Sequence, residues 1–94
     1  MYQWNELEFE WDEEKAATNF RKHGIRFETA MRVFQDPNLK EYCDDDHSKR
    51  EDRYQAIGMV NDILFVVYTE RKKRIRLISA RKATKAERRR YLGY

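Results

Sequence analysis

Most side chains with chemistry to offer lie in the last third of the chain. Arg71, Lys72, Lys73, Arg74, Arg76, Arg81 and Lys82, then Lys85 and the run Arg88-Arg89-Arg90, supply the cations. Between 74 and 82 they are interleaved with apolar residues on strand-like sequence, which sets them in rows on a rigid surface. Such rows attract a polyanion, because each cation placed near a phosphate releases condensed counterions. The bland alternative is a solvated surface that only keeps the protein soluble. The charge is divided unevenly: residues 1–52 hold 8 Lys/Arg against 14 Asp/Glu, and residues 53–94 hold 12 against 3. A net charge of +3 conceals that polarity, which favours a polyanion site in the second half.

Other constellations are weaker. His47 stands beside Asp44, Asp45 and Asp46, but no second histidine or cysteine lies at ligand spacing, and neighbouring loop carboxylates point in scattered directions. No metal site and no cofactor are expected. Cys43 has no histidine at a motif spacing and reads as a small strand residue rather than a nucleophile. As the single cysteine it excludes an internal disulfide and fits a reducing cytoplasm.

These side chains must be positioned by helices and strands. Leu7 to Trp11 alternates strictly and predicts a half-buried strand. Asp12 is an N-cap, Glu13 and Glu14 complement the dipole, and Gly24 supplies a left-handed stop, so a helix is predicted over about 13–23 with Ala16, Phe20 and His23 on one stripe. A second helix carries Ala30, Val33 and Phe34 and ends at Asp36-Pro37. Neither helix is long enough to stand alone, so both must lie on a sheet. Leu39 to Cys43 is a weak strand, and Asp44 to Asp52 is a polar loop. Arg53 to Val60 is strand-like, with Gly58 as a candidate bulge and Asn61-Asp62 as a two-residue turn. Ile63 to Thr69 is apolar on both faces and belongs in the middle of the sheet. After a basic turn comes the strand 74–81, and Thr84-x-x-Glu87 is a capping box that opens a last helix. The order β-α-α-β-β-β-β-α predicts an α+β fold with a mainly antiparallel sheet.

The 94 residues allow a single domain, 1–94. An apolar fraction of 40% with 13 aromatic residues argues against disorder despite the charge. No apolar run approaches the roughly 20 residues of a membrane span. Met1 to Trp11 holds three glutamates and no Lys or Arg, which does not fit a secretory signal.

In chain order, the blocks Phe9-Glu10-Trp11-Asp12, Lys22-His23-Gly24, Asp36-Pro37, His47-Ser48, Val67-Tyr68-Thr69-Glu70-Arg71, the stretch Arg76 to Thr84, and Glu87-Arg88-Arg89 with Tyr91 resemble the BrnT family of type II toxin–antitoxin toxins. The similarity runs from about Leu7 to Tyr91. Arg26 departs from it, standing where a Ser or Thr helix cap is usual, so a weaker cap is expected there. The resemblance implies a RelE-like fold and an endoribonuclease that inhibits translation. It also implies an antitoxin partner similar to BrnA, whose DNA-binding part resembles a ribbon-helix-helix module. Operator DNA would then be reached only through that antitoxin, in a toxin–antitoxin hetero-oligomer.

Metal-free RNA cleavage needs a base for the ribose 2′-hydroxyl, fixed cations for the charge on the phosphorane, and an acid for the departing 5′ oxygen. Arginine suits the middle task, since its planar fork grips two phosphate oxygens. Arg71 and Arg81 are the leading catalytic candidates, each closing a strand, with their approach set by hairpin register. Glu70 is either the base or the partner that orients an arginine. His23 is either the general acid or an ordinary helix-end imidazole. Tyr68 is a candidate RNA contact, although on an apolar strand a tyrosine is more often core. Lys82 follows Arg81 but points the other way if the strand continues, and parity puts Arg76 on the face opposite Arg81. Lys22, Arg88 and Arg89 complete the RNA-binding candidates, at most two of the Arg88-Arg89-Arg90 run facing one ligand. The competing reading is a non-catalytic nucleic-acid- or antitoxin-binding module acting as a co-repressor. Under either reading the basic face, together with aromatic residues at the ends (Tyr2, Trp4, Tyr94), is expected to meet the antitoxin.

Overall fold

The computed structural model describes residues 6–44 and 52–93 and the backbone of residues 2–4. The expectations for His47 and for the Tyr2, Trp4 and Tyr94 side chains lie outside the described residues. Among the described residues there are six strands, β1 (Tyr2–Trp4), β2 (Leu7–Glu10), β3 (Lys40–Cys43), β4 (Arg53–Val60), β5 (Asp62–Arg71) and β6 (Arg74–Lys82), together with helices α1 (Glu13–His23), α2 (Phe27–Ala30) and α3 (Lys85–Leu92). The strands form one sheet in the order β1-β2-β6-β5-β4-β3, antiparallel except where β2 meets β6. The α+β expectation holds, with β1 added.

Local chemistry explains the helix ends. The Asp12 carboxylate accepts from the Glu14 and Lys15 N–H groups, and Gly24 closes α1 at φ 72°. Thr84 and Glu87 complete the capping box of α3. Arg26 begins α2 without a side-chain cap, and after a single turn the chain tightens into a 3-10 helix over Met31–Gln35, so the expected second helix is split.

One sheet face is covered by α1, α2 and the 3-10 helix, over a core that includes Phe9, Phe27, Val33, Ala56, Leu64, Val66, Tyr68 and Leu77. The other face carries a smaller cluster, Ile57, Ile63 and Phe65 under Tyr91 of α3. Being apolar on both sides, β5 sits between β4 and β6, as its composition requires.

Two expectations change. Pairing runs unbroken through Gly58, so it is not a bulge. Its role is to admit the 3-10 helix: a Cβ at Gly58 would stand 2.8 Å from the Val33 Cβ. The sheet's register shift lies between β5 and β6, at Val67/Tyr68, where Ile78 is the extra residue. In α1 the stripe residue Phe20 is 40% exposed, and the buried residue is Asn19. The polar edge of β6 explains that choice: β6 pairs with β2 at Ile75 and Arg76, and Asn19 takes up the N–H and C=O of Ala80 beyond.

Candidate nucleic-acid interface

The β5–β6 hairpin decides which cations can cooperate. Its turn is Lys72-Lys73, at φ 49° and 68°, so Arg71 pairs with Arg74. Arg81 pairs with Phe65, six positions back along β5, which separates the two arginines by about 20 Å along the strand. The expected joint action of Arg71 and Arg81 on one phosphate is therefore corrected: they stand at opposite ends of the hairpin. Glu70 is also displaced from Arg81. It alternates onto the helix-covered face, where it lines a hollow with Tyr54, Tyr68 and Glu41, on the side of the sheet away from Arg81.

The bulge corrects a second expectation. By simple alternation Arg76 and Arg81 would lie on opposite faces; the extra residue Ile78 returns Arg76 to the face of Arg81, opposite Thr69. There Arg76 is tied to Glu10 at 2.7 Å, and Arg74 reaches Glu8 at 3.5 Å, so carboxylates from β2 offset the charge of that end. Lys82 pairs with Leu64 and does point away from Arg81. Tyr68 is corrected as an RNA contact, being 2% exposed, packed edge-on to Phe34 and stacked on Tyr54. Its hydroxyl donates to the Glu41 carboxylate; burial, then that bond, drives its pKa upward.

The cationic centre lies between α3 and the sheet, in a cleft of about 440 Å³ floored by Phe65 and Val67 and flanked by Arg53, Arg81 and Arg90. The Arg81 guanidinium lies 4.3 Å over the Phe65 ring, and Arg90 lies 3.9 Å over Tyr42. Arg81 is also held end-on by Glu87, through Nη1–Oε1 at 2.8 Å and Nη2–Oε2 at 3.0 Å. Burial opposes ionisation of Glu87, but the bonds from Arg81 and from the Thr84 N–H outweigh it and hold the carboxyl below its ordinary range. Of the other helix arginines, Arg88 is engaged with Asp62 at 3.0 Å and Arg89 is exposed.

A second cleft, about 330 Å³, opens beside α1 and is lined by Lys15, Lys22 and His23. Ile78 and Ser79 line both clefts, so the bulged stretch of β6 is the ridge between them. His23 and Lys22 thus approach Ser79 from one side, and Arg81 from the other. Among the described residues no group of three His, Cys, Asp or Glu side chains converges, and no helix is long and apolar enough to cross a membrane.

Sequence reasoning missed Arg53 and did not single out Arg90. Arg90 had a signal: it is three residues after Glu87, on the same side of α3. Arg53 joins the site only through its cross-strand pairing with Thr69, which no local pattern announces.

The crystal structure of the Brucella abortus ribonuclease toxin BrnT is similar to this chain with a TM-score of 0.66 and 29% identity, over 84% of this chain and 99% of that one. No curated protein matches. The family described as "Ribonuclease toxin, BrnT, of type II toxin-antitoxin system" matches residues 11–87. A match over that span settles membership: the chain belongs to the BrnT ribonuclease toxins of type II toxin–antitoxin systems.

Proposed function

We propose that this chain is a metal-independent endoribonuclease that inhibits translation by cutting RNA in the cytoplasm. Its neutralising partner is a BrnA-like antitoxin whose ribbon-helix-helix part carries the complex to operator DNA. Membership in the toxin family supports the activity and the existence of an antitoxin. The observation that carries the site is the shared ridge: Ser79 borders both the arginine cleft and the cleft of His23 and Lys22.

An RNA strand laid over that ridge has a phosphate within the field of both groups. Arg81, with Arg53 and Arg90, stabilises the charge that gathers on the phosphorane oxygens as the 2′-hydroxyl attacks and gives up its proton to water. Permanently charged guanidinium groups do this without a metal. His23 is the acid for the departing 5′ oxygen, and Lys22 holds the flanking phosphate. Arg71, Arg76, Lys82, Arg88 and Arg89 lie outside this centre and act at most through the general attraction of a basic surface.

The test mixes antitoxin-free protein with RNA in the presence of EDTA. Cleavage that survives the chelator and is lost in Arg81→Ala is expected. Binding without cleavage would overturn the enzymatic reading in favour of a co-repressor module, and cleavage abolished by EDTA would overturn metal independence.

A further inference from the structure

Arg81 has five N–H donors, and the contacts it makes leave a particular pair of them. Nη1 gives its two hydrogens to Glu87 Oε1 at 2.8 Å and to the Lys82 carbonyl at 3.2 Å. Nη2 gives one to Glu87 Oε2 at 3.0 Å. What remains, among the described residues, is Nε–H and the outer hydrogen of Nη2, which together form the side-on fork of the guanidinium. That fork has the spacing to take two oxygens of one phosphate.

Glu87 is unusually well fixed for a surface helix residue. Its side chain is only 13% exposed. Oε1 also accepts the Thr84 N–H at 2.8 Å, while the Glu87 N–H donates to Thr84 Oγ1 at 3.2 Å. One carboxylate therefore joins the first turn of α3 to the guanidinium at the end of β6, with the Phe65 ring beneath fixing the plane. We propose that Glu87 is a positioning residue of the ribonuclease, which occupies the end-on fork of Arg81 so that the side-on fork is presented to the scissile phosphate. The proposal rests on the ribonuclease reading above and adds to it the residue that aims the principal cation. With its carboxyl held below the ordinary range, Glu87 stays ionised at neutral pH and keeps that grip.

Glu87→Gln separates positioning from capping. A glutamine oxygen still accepts from the Thr84 N–H, but its amide presents N–H groups to one Nη of Arg81, and the guanidinium turns. The expected result is a fall in kcat of about tenfold or more with KM changed less than about threefold, since misaimed charge costs the transition state more than the bound state. An unchanged kcat would mean that Glu87 only caps the helix, a raised kcat that it masks Arg81, and a change confined to KM that it acts in binding; each overturns the proposal. Thr84→Ala removes the cap hydroxyl and leaves the ion pair, so kcat should hold; a loss matching that of Glu87→Gln would also overturn it. An independent readout is the Arg81 Nε–H resonance on addition of uncleavable 2′-O-methyl RNA. It should shift in the wild-type protein and far less in Glu87→Gln, and no wild-type shift would refute the side-on fork. If the wild type cleaves no RNA yet its Nε–H signal responds, the nuclease reading fails and the catalytic role of Glu87 falls with it, leaving the side-on fork as an RNA contact.

Discussion

Asn19 holds Ala80 by both of its peptide polar groups: Nδ2 donates to the Ala80 carbonyl at 2.8 Å, and Oδ1 accepts the Ala80 N–H at 3.1 Å. The amide does for one residue what a neighbouring strand does for a ladder. Because Ala80 sits between Ser79 and Arg81, this clamp sets the height of α1, and so of Lys22 and His23, against the ridge of the site.

Replacing that amide should be costly. Asn19→Leu leaves the N–H and C=O of Ala80 buried without partners, at about 1–3 kcal/mol for each group. Asn19→Asp places a carboxylate against two carbonyls, those of Ala80 and Ile25, and should be at least as damaging. Urea denaturation with an unchanged m-value and a lowered midpoint is the expected readout.

Gly58→Ala tests the close approach of the 3-10 helix to β4. The new methyl would meet the Val33 Cβ at 2.8 Å, the Val33 carbonyl at 3.2 Å and Leu39 Cδ1 at 3.3 Å. Two of these neighbours are backbone or near-backbone and yield little, so a loss of about 1–3 kcal/mol is expected from thermal or chemical unfolding.

How much of this was legible depends on whether a signal was local. Asp12, Gly24 and the Thr84–Glu87 box fix their helix ends through bonds within a few residues, and the sequence predicts α1 and α3 correctly. The two-sided apolar run 63–69 likewise places β5 in the centre. The site was harder because it depends on register. The basic turn after Arg71 is legible, but the separation of the two arginines follows only from the pairing of Arg71 with Arg74 and of Phe65 with Arg81. No glycine marks the bulge at Ile78, yet it reverses the face of Arg76. From the sequence Glu87 is a helix cap; its bonds to Arg81 depend on the strand beside it.

Acid stability should depend on the contact between Asp36 and Tyr91. Burial works against the Asp36 carboxylate, but the Tyr91 hydroxyl and the Asn38 and Met59 N–H groups outweigh it and lower its pKa. Tyr91, pushed up to about 12 by burial and by this bond, remains a donor throughout. A depressed folded value means stability that is present above the ordinary carboxylate pKa and lost as pH falls through the folded value. Tyr91→Phe should cost about 1–2 kcal/mol at neutral pH. In the variant the folded carboxyl is less depressed, so the acid-induced loss from Asp36 should be complete at a higher pH, and the gap to wild type should narrow as Asp36 becomes protonated in both. Unfolding midpoints across the acid range would show this, and a gap constant with pH would refute it.

The hairpin geometry also ranks the arginines. Arg71→Ala should weaken RNA binding modestly, flatten its salt dependence and leave kcat within about threefold, because it removes one distant charge. Arg81→Lys retains charge in the cleft but loses the two-forked geometry that serves Glu87 and a phosphate together, and should lower kcat by about a hundredfold. Equal effects of the two substitutions would contradict the register-based assignment.

His23 and Arg81 line separate clefts that share Ser79, and a double-mutant cycle asks whether they serve one phosphate. If they do, His23→Ala and Arg81→Ala each lower kcat/KM strongly, and the double variant loses far less than the product of the two factors, because groups that act as a unit are not additive. If they bind different parts of the RNA without sharing the reacting atoms, the factors multiply. The wild-type, single and double variants should be compared at saturating and limiting RNA, with folding checked by near-UV circular dichroism. Strict multiplicativity in properly folded variants would move His23 out of the reaction and leave it a contact for the flanking chain.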